Sequence, residues 1–218
     1  MILVPVKNLT NAKQRLSPVL DATERFALAE AMLADVLAAI AGWRTRLAVV
    51  VVTSDPVARA MTHSHGFEVL EEPENRSETD AISRATRFCE ARGACETLVL
   101  PGDIPLVTSQ ELEQIAAAVP RQGTLFVPSA DGRGTNAVWR RPAALFPLRF
   151  GDDSFLPHRH AAEASGLPVI VRKLGGIGLD VDRPSDLAAL LDSRHERRTL
   201  RLLRAWRIQE RLLAARRA

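Results

Sequence analysis

TLVLPGDIPL, residues 97–106, is the stretch from which the fold is read. Val99 and Leu100 sit in an apolar run without polar alternation, the pattern of a strand buried on both faces. Pro101-Gly102 halts that strand, so Asp103 is expected where the chain leaves the sheet. In open α/β sheets ligands bind at this edge. A carboxylate carried there by a rigid strand can hold a metal with little side-chain ordering. Asp is equally a common turn residue, and Asp103 alone would serve as the cap of the turn before Thr108. Its meaning depends on what the flanking chain brings to the same edge.

Upstream, Ile2 to Val6 reads as a short buried strand and Lys7 to Pro18, KNLTNAKQRLSP, as a polar loop. Asp21 with Glu24 has capping-box spacing for a helix running to Ala41. Arg46 to Thr53 contains the buried strand LAVVVV, stopped by Ser54-Asp55-Pro56. A short helix from Val57 to Ser64 and a strand from Phe67 to Leu70, nearer an edge, come next. The turn-rich segment 71–78, EEPENRSE, then leads into a helix from Thr79 to Arg92. Strand and helix alternating in this way predict parallel strands joined by right-handed crossovers.

Downstream, the pattern predicts a helix from Ser109 to Val119 and a strand from Leu125 to Val127 closed by Pro128. The Gly-punctuated loop SADGRGTNAVW runs into a strand through Ala137 to Trp139. FGDDS, residues 150–154, is a turn whose Ser154 is placed to cap the helix FLPHRHAAEA. Pro168 to Arg172 reads as a strand, Gly175 to Gly178 as a flexible link, and Leu179 to Asp182 as a short strand ended by Pro184. A helix follows from Arg183 to Asp192. The fold class this pattern predicts is α/β with a mostly parallel sheet.

With 218 residues, 46% of them hydrophobic and 25% charged, the chain has the composition of a globular protein. It is read as one domain, 1–192, with a basic C-terminal helix, 193–218, appended. The formal charge of +3 is unevenly placed, because 193–218 holds nine Arg and two Glu and leaves the body near −4. Leu200, Leu203, Trp206 and Leu213 form an apolar stripe expected to pack on the domain or on a dimer partner, arginines outward. Nucleic acid or an acidic surface is the alternative use of such a helix. No stretch approaches the ~20 apolar residues of a membrane span, and MILVPVKNL is too short for a signal peptide. Cys89 and Cys95, without a CxxC pattern, read as reduced thiols of a cytoplasmic protein.

Several chemistries are excluded by pattern. There is no Walker A sequence, and GGIG at 175–178 lacks the spacing of a dinucleotide fingerprint. His63 with His65 and His158 with His160 have no Cys partner and no HExxH context, so each pair reads as surface or core, with contact to an anion as the alternative for a His at a helix start. The informative residues are charged ones at strand ends. Asp180 and Asp182 alternate along one segment and share a face, so they are expected to converge on Asp103. Carboxylates gathered there repel unless a divalent cation neutralises them, and oxygen ligands suit magnesium. Lys7, Lys13 and Arg15 would face the same phosphates from the opposite edge. Opposed carboxylate and Lys/Arg walls are what phosphoryl or nucleotidyl transfer requires.

PVKNLTNAKQRLSPVL with Glu24-Arg25, LPGDIPL, DGRGTNAV, FGDDSFLPH and GLDVDRPSDL occur in this order, and together they resemble the 2-phospholactate guanylyltransferase family. Members of that family also use phosphoenolpyruvate or 3-phosphoglycerate. The resemblance implies the nucleotidyltransferase α/β/α fold with a mixed sheet. It also implies a reaction joining GMP from GTP to a three-carbon phospho-acid, in biosynthesis of the deazaflavin redox coenzyme. By the same resemblance Asp103, Asp180 and Asp182 match magnesium-binding carboxylates, Lys13 and Arg15 the triphosphate loop, and Thr135, Gly151 and Ser154 the phospho-acid site. Where the family carries Gly-Leu-Asn before a helix, this chain has Glu78-Thr79-Asp80. Asp80 or Glu78 could there accept the paired N1–H and N2–H₂ donors of guanine. The expected partners are GTP and a small phospho-acid, with a homodimer as in many family members, and neither nucleic acid nor membrane. The rival is a cytidylyl- or sugar-phosphate nucleotidyltransferase of the same fold, whose usual Gly-rich first loop has no counterpart in Lys7 to Ser17.

Overall fold

Strand β1 (Ile2–Pro5) is completely buried and lies inside a seven-stranded sheet. The computed structural model describes residues 1–45, 47–72 and 77–215. The other strands are β2 (Val49–Thr53), β3 (Glu68–Glu71), β4 (Thr97–Val99), β5 (Gly123–Pro128), β6 (Thr135–Arg141) and β7 (Val169–Val171). Their spatial order is β3-β2-β1-β4-β6-β5-β7. Only β6 runs against its neighbours, pairing antiparallel with β4 and β5. The sheet is therefore mixed and mostly parallel, as the strand and helix alternation predicts. Arg46 and residues 73–76, within two of the predicted segments, lie outside the described residues.

Each central strand divides its side chains between two cores. Ile2, Val4, Val51, Leu98 and Leu125 face one, and Leu3, Val50, Val52, Val99 and Phe126 face the other. That alternation follows from the period of two of a pleated strand. The first core lies under α1 (Ala22–Ala41), α2 (Pro56–Ser64) and α4 (Ser109–Ala118), and the second under α3 (Glu78–Ala91) and α5 (Phe155–Glu163). The helix starts follow the sequence signals. Asp21 and Glu24 form the reciprocal capping box of α1, and Thr108 and Glu111 that of α4. Asp55 caps α2 by accepting from Val57 and Ala58 N–H at 2.9 and 3.0 Å. Among the described residues no helix is long and apolar enough to cross a membrane.

Three local expectations are corrected. Gly175–Gly178 is a helical turn, α6, and not a flexible link. Gly176 donates to Glu111 Oε1 at 2.7 Å, and a Cβ on Gly176 would collide with that carboxylate and with the Leu106 carbonyl. Glycine is needed there for close packing and not for freedom. Residues 179–182 pair with no strand; the segment is extended and tied to the sheet edge by Val181 N–H donating to the Asp103 carbonyl at 3.2 Å. Ser154 occupies the N-cap position of α5, but its side chain makes no capping hydrogen bond.

After α7 (Pro184–Leu191) the basic segment forms two helices, α8 (Arg198–Ala205) and α9 (Ile208–Ala215). Arg207 adopts φ 52° between them, which shifts the helical phase. Leu200 and Leu203 are buried as expected, but Leu213 is 51% exposed and Ile208 and Leu212 enter the core instead. The start of α8 is capped from another helix. Asp35, buried on α1, accepts from Arg198 N–H at 3.0 Å, Thr199 N–H at 2.9 Å and the Thr199 hydroxyl at 2.7 Å. It supplies what an N-cap side chain supplies locally elsewhere. Asp35→Ala would leave these buried donors without an acceptor. We expect it to lower stability by about 1–3 kcal/mol, read as a fall in the urea midpoint at unchanged slope; an unmoved midpoint would show that the cap contributes nothing.

Candidate active site

The carboxyl ends of β1 and β4 and the start of the reversed strand β6 meet at one edge of the sheet, where they border a cleft of about 1000 Å³. Lys7, Lys13, Arg15, Asp103, Thr135, Gly151, Ser154, Asp180 and Asp182 all line it. The segments that supply them are far apart in sequence and come together through the sheet order.

The loop after β1 carries the cations. It contains two short 3₁₀ turns, Leu9–Asn11 and Gln14–Leu16, whose Leu9 and Leu16 are buried. Asp55 holds the loop from below, accepting from Leu9 N–H at 2.9 Å while it caps α2. Between the two turns Lys13 has φ 56° and ψ 37°, a left-handed conformation unfavourable for a residue with a Cβ. Its side chain is only 9% exposed, and Nζ donates to Asp103 Oδ2 at 2.6 Å and Asp182 Oδ1 at 2.8 Å. Arg15 is more exposed and lies 3.5 Å from Asp152 and 3.9 Å from Asp182.

These charges set one another's protonation. Burial alone would lower the Lys13 pKa, but Asp103 and Asp182 outweigh it and hold the ammonium firmly charged. Burial likewise pushes Asp182 up, and Lys13, then Arg15 and Arg183, bring it below its ordinary value. Asp180 remains raised by burial, partly offset by Asn136 Nδ2, which donates to its carboxylate at 3.0 Å. Glu78 is pushed up to about 7 by burial and by Asp103, with Lys7 and Lys13 opposing.

Asp103, Asp180 and Asp182 present only oxygen donors, which is the chemistry magnesium takes. Among the described residues, however, no three acidic, His or Cys side chains are gathered as a metal site. The Lys13 ammonium lies between Asp103 and Asp182, and Asp180 is turned to Asn136. The donor set fits the ion, whereas the arrangement has lysine as the counter-charge.

Asp80 does not reach the cleft. It is exposed at the third position of α3, where Ser77 accepts from its N–H at 3.1 Å and donates to its carboxylate at 2.8 Å. Its side chain is committed to the helix start. Of the two carboxylates considered there, Glu78 is the one that lines the cleft, among the cations of the phosphate side.

The rest of the cleft lining mixes exposed charges, Asp131, Arg133, Asp152 and Asp153 among them, with neutral groups. Gly151 has φ 148°, a conformation glycine tolerates and other residues rarely adopt. Thr79 Oγ1 accepts from Phe150 N–H at 2.9 Å and holds this turn against α3. Thr135 is buried, and its hydroxyl lies 2.9 Å from His158 Nδ1, while His158 Nε2 accepts from Arg149 N–H at 2.8 Å. The sequence pattern treats His158 and His160 alike. On a helix, positions two apart face different sides, and here His158 is 1% exposed while His160 is exposed. The usable signal was the four-residue spacing from Ser154 to His158, one helical turn. Asn136, next to Thr135 in GTN, was also missed; its amide bridges the Ile177 carbonyl and Asp180.

Comparison with known proteins places this arrangement in context. A family model described as guanylyl transferase CofC like matches residues 1–215. A 2-phospho-L-lactate guanylyltransferase of Methanothermobacter thermautotrophicus is 37% identical over 205 residues, covering 93% of this chain and 90% of the relative. A phosphoenolpyruvate guanylyltransferase of Conexibacter woesei is 34% identical over 191 residues, covering 86% and 85%. Among solved structures, a Desulfovibrio desulfuricans protein assigned to the nucleotide-diphospho-sugar transferases superposes with a TM-score of 0.78 at 17% identity, covering 98% of this chain and 96% of that one. A Leptospira borgpetersenii cytidylyltransferase gives 0.57 at 14% identity, covering 97% and 94%. At such identities the structures speak for the fold alone.

The burial of His158 has an effect measurable without a substrate. Burial, with Arg140 adding to it, lowers the His158 pKa from 6.5 to about 4. The unfolded chain therefore binds a proton at higher pH than the folded one, and stability present above pH 6.5 is lost as pH falls towards 4. We expect at most about 3 kcal/mol from this group. Urea titrations across that range should show the slope shrink in His158→Gln; an identical slope would place the titration elsewhere.

Proposed function

This chain belongs to the CofC-like guanylyl transferase family, and on that premise we propose that it transfers GMP from GTP to a three-carbon phospho-acid with release of pyrophosphate. The acid is of the class of 2-phospho-L-lactate, phosphoenolpyruvate and 3-phosphoglycerate. Its product would be the activated precursor of a deazaflavin coenzyme side chain. The observation that supports this reading is one cleft lined both by Lys13 and Arg15 among carboxylates and by Thr135, Gly151 and Ser154.

In the proposed reaction a phosphate oxygen of the acid attacks the α-phosphorus of GTP in line. The new oxygen–phosphorus bond forms as the bond to the β-phosphate oxygen breaks, and pyrophosphate leaves with that electron pair. A phosphate dianion is already a nucleophile, so no general base has to be found among the cleft residues. Lys13 and Arg15 hold the triphosphate and offset charge on the leaving pyrophosphate. Thr135, Gly151 and Ser154 hold the phospho-acid: hydroxyls donate to its oxygens, and glycine lets the backbone come close. Asp103, Asp180 and Asp182 are the residues that would hold magnesium, with Lys13 released from between them to the phosphates. The ion supplies charge neutralisation of the triphosphate when bound.

Incubation with GTP and the three acids together, followed by product mass, tests the reading. The expected result is a guanosine diphospho-acid and stoichiometric pyrophosphate. Faster turnover with CTP, or a sugar phosphate as the accepted partner, would overturn it in favour of the rival nucleotidyltransferases. Asp103→Ala should reduce turnover by at least about two orders of magnitude, the scale of losing one preorganised charged group. Near wild-type rates for that variant in limiting magnesium would remove Asp103 from the proposed metal site.

A further inference from the structure

We infer that His158 is a positioning residue that commits the Thr135 hydroxyl as a hydrogen-bond donor into the cleft, aimed at an anionic oxygen of the phospho-acid. This rests on the proposed function for the identity of the ligand, but the argument for the donor is internal to the protein.

It begins with a group that has no choice. The backbone N–H of Arg149 can only donate, and it points at His158 Nε2 from 2.8 Å. A proton on Nε2 would set two donors against each other, so the ring proton is assigned to Nδ1. The ring is buried and lies beside the cationic Arg140, both of which keep it uncharged near neutral pH. Nδ1–H then faces Thr135 Oγ1 at 2.9 Å, and the hydroxyl must accept. Among the described residues Thr135 Oγ1 has no other hydrogen-bond partner, so its own hydrogen is left to donate. Thr135 lines the cleft next to Ser154 and Gly151. The Phe150 ring packs edge-on against the imidazole, with centroids 5.1 Å apart, and restricts its rotation.

The same imidazole thus joins two parts of the wall. One nitrogen holds the backbone at Arg149, two residues before Gly151, and the other sets the direction of the Thr135 hydroxyl. A threonine hydroxyl is otherwise free to act as donor or acceptor. Fixing it as a donor favours the fully ionised oxygens of a phosphate or carboxylate, because a charge-assisted hydrogen bond to them is stronger than a neutral one.

Two measurements test this. Nitrogen-15 NMR of the histidine-labelled, ligand-free chain should show His158 neutral with the proton on Nδ1 at pH 7. A proton on Nε2 would overturn the inference whatever the enzyme does. The second is steady-state kinetics of Thr135→Val, His158→Gln and their combination. Gln can accept from Arg149 N–H but has no donor at the Nδ1 position. Each single change should raise KM for the phospho-acid about tenfold, leaving KM for GTP within twofold, and the double variant should be no worse than either single one. His158→Asn, which keeps a donor near Nδ1, should retain more affinity for the acid than His158→Gln. Additive losses in the double variant, or equal rises in both KM values, would reduce His158 to packing. If the wild-type chain transfers nothing, the proposed function fails by itself. Calorimetric binding of phosphoenolpyruvate to wild type and Thr135→Val then decides the donor separately, with equal affinity overturning it.

Discussion

The Lys13 ammonium, shared between Asp103 and Asp182, is the contact on which the geometry of the cleft depends. It brings together the loop after β1, the end of β4 and the extended segment before α7, across 90 and 169 residues of sequence. Taking such charges out of water is costly, and the left-handed backbone at Lys13 adds to the cost. Stability alone does not account for the arrangement. The backbones that carry the two carboxylates are also tied to each other, because Val181 is fully buried and its N–H is bonded to the Asp103 carbonyl. Two acids fixed side by side need a counter-charge, and the loop provides it.

The supports beneath that contact are helix caps with a second task. Asp55 caps α2 and also secures Leu9 in the lysine loop. Glu111 completes the capping box of α4 and also receives Gly176, which fixes the turn leading to Asp180 and Asp182. Asp35 begins α8 from a neighbouring helix. Asp55 and Glu111 each satisfy backbone donors in two segments, so the loops at the sheet edge are ordered by the rigidity of the helices below them.

Buried neutral groups hold another part of the cleft lining. His158 bridges the Thr135 hydroxyl and the Arg149 N–H, and Asn136 bridges the Ile177 carbonyl and Asp180, so two buried side chains tie together segments that are separate in the sequence. The cleft therefore combines ion pairs around Lys13 with buried neutral hydrogen bonds around Thr135.

Local pattern was sufficient for the seven strands of the sheet, though not for the non-strand segment 179–182, and for the helix starts at Asp21 and Thr108 and the break after Leu100. Each follows from periodicity or from chemistry within four residues, which a linear string contains. It was not sufficient for Gly176, whose role is a close approach to Leu106 and Glu111, or for Leu213, whose outward position follows from the phase shift at Arg207. Asp80 had two competing local uses, and its bond to Ser77 excluded the cleft. His158 acquired its role from Arg149 and Thr135, on either side of it in space. Such roles come from which backbone and side-chain groups face one another once the sheet has formed, and sequence spacing carries no record of a partner that arrives from another strand.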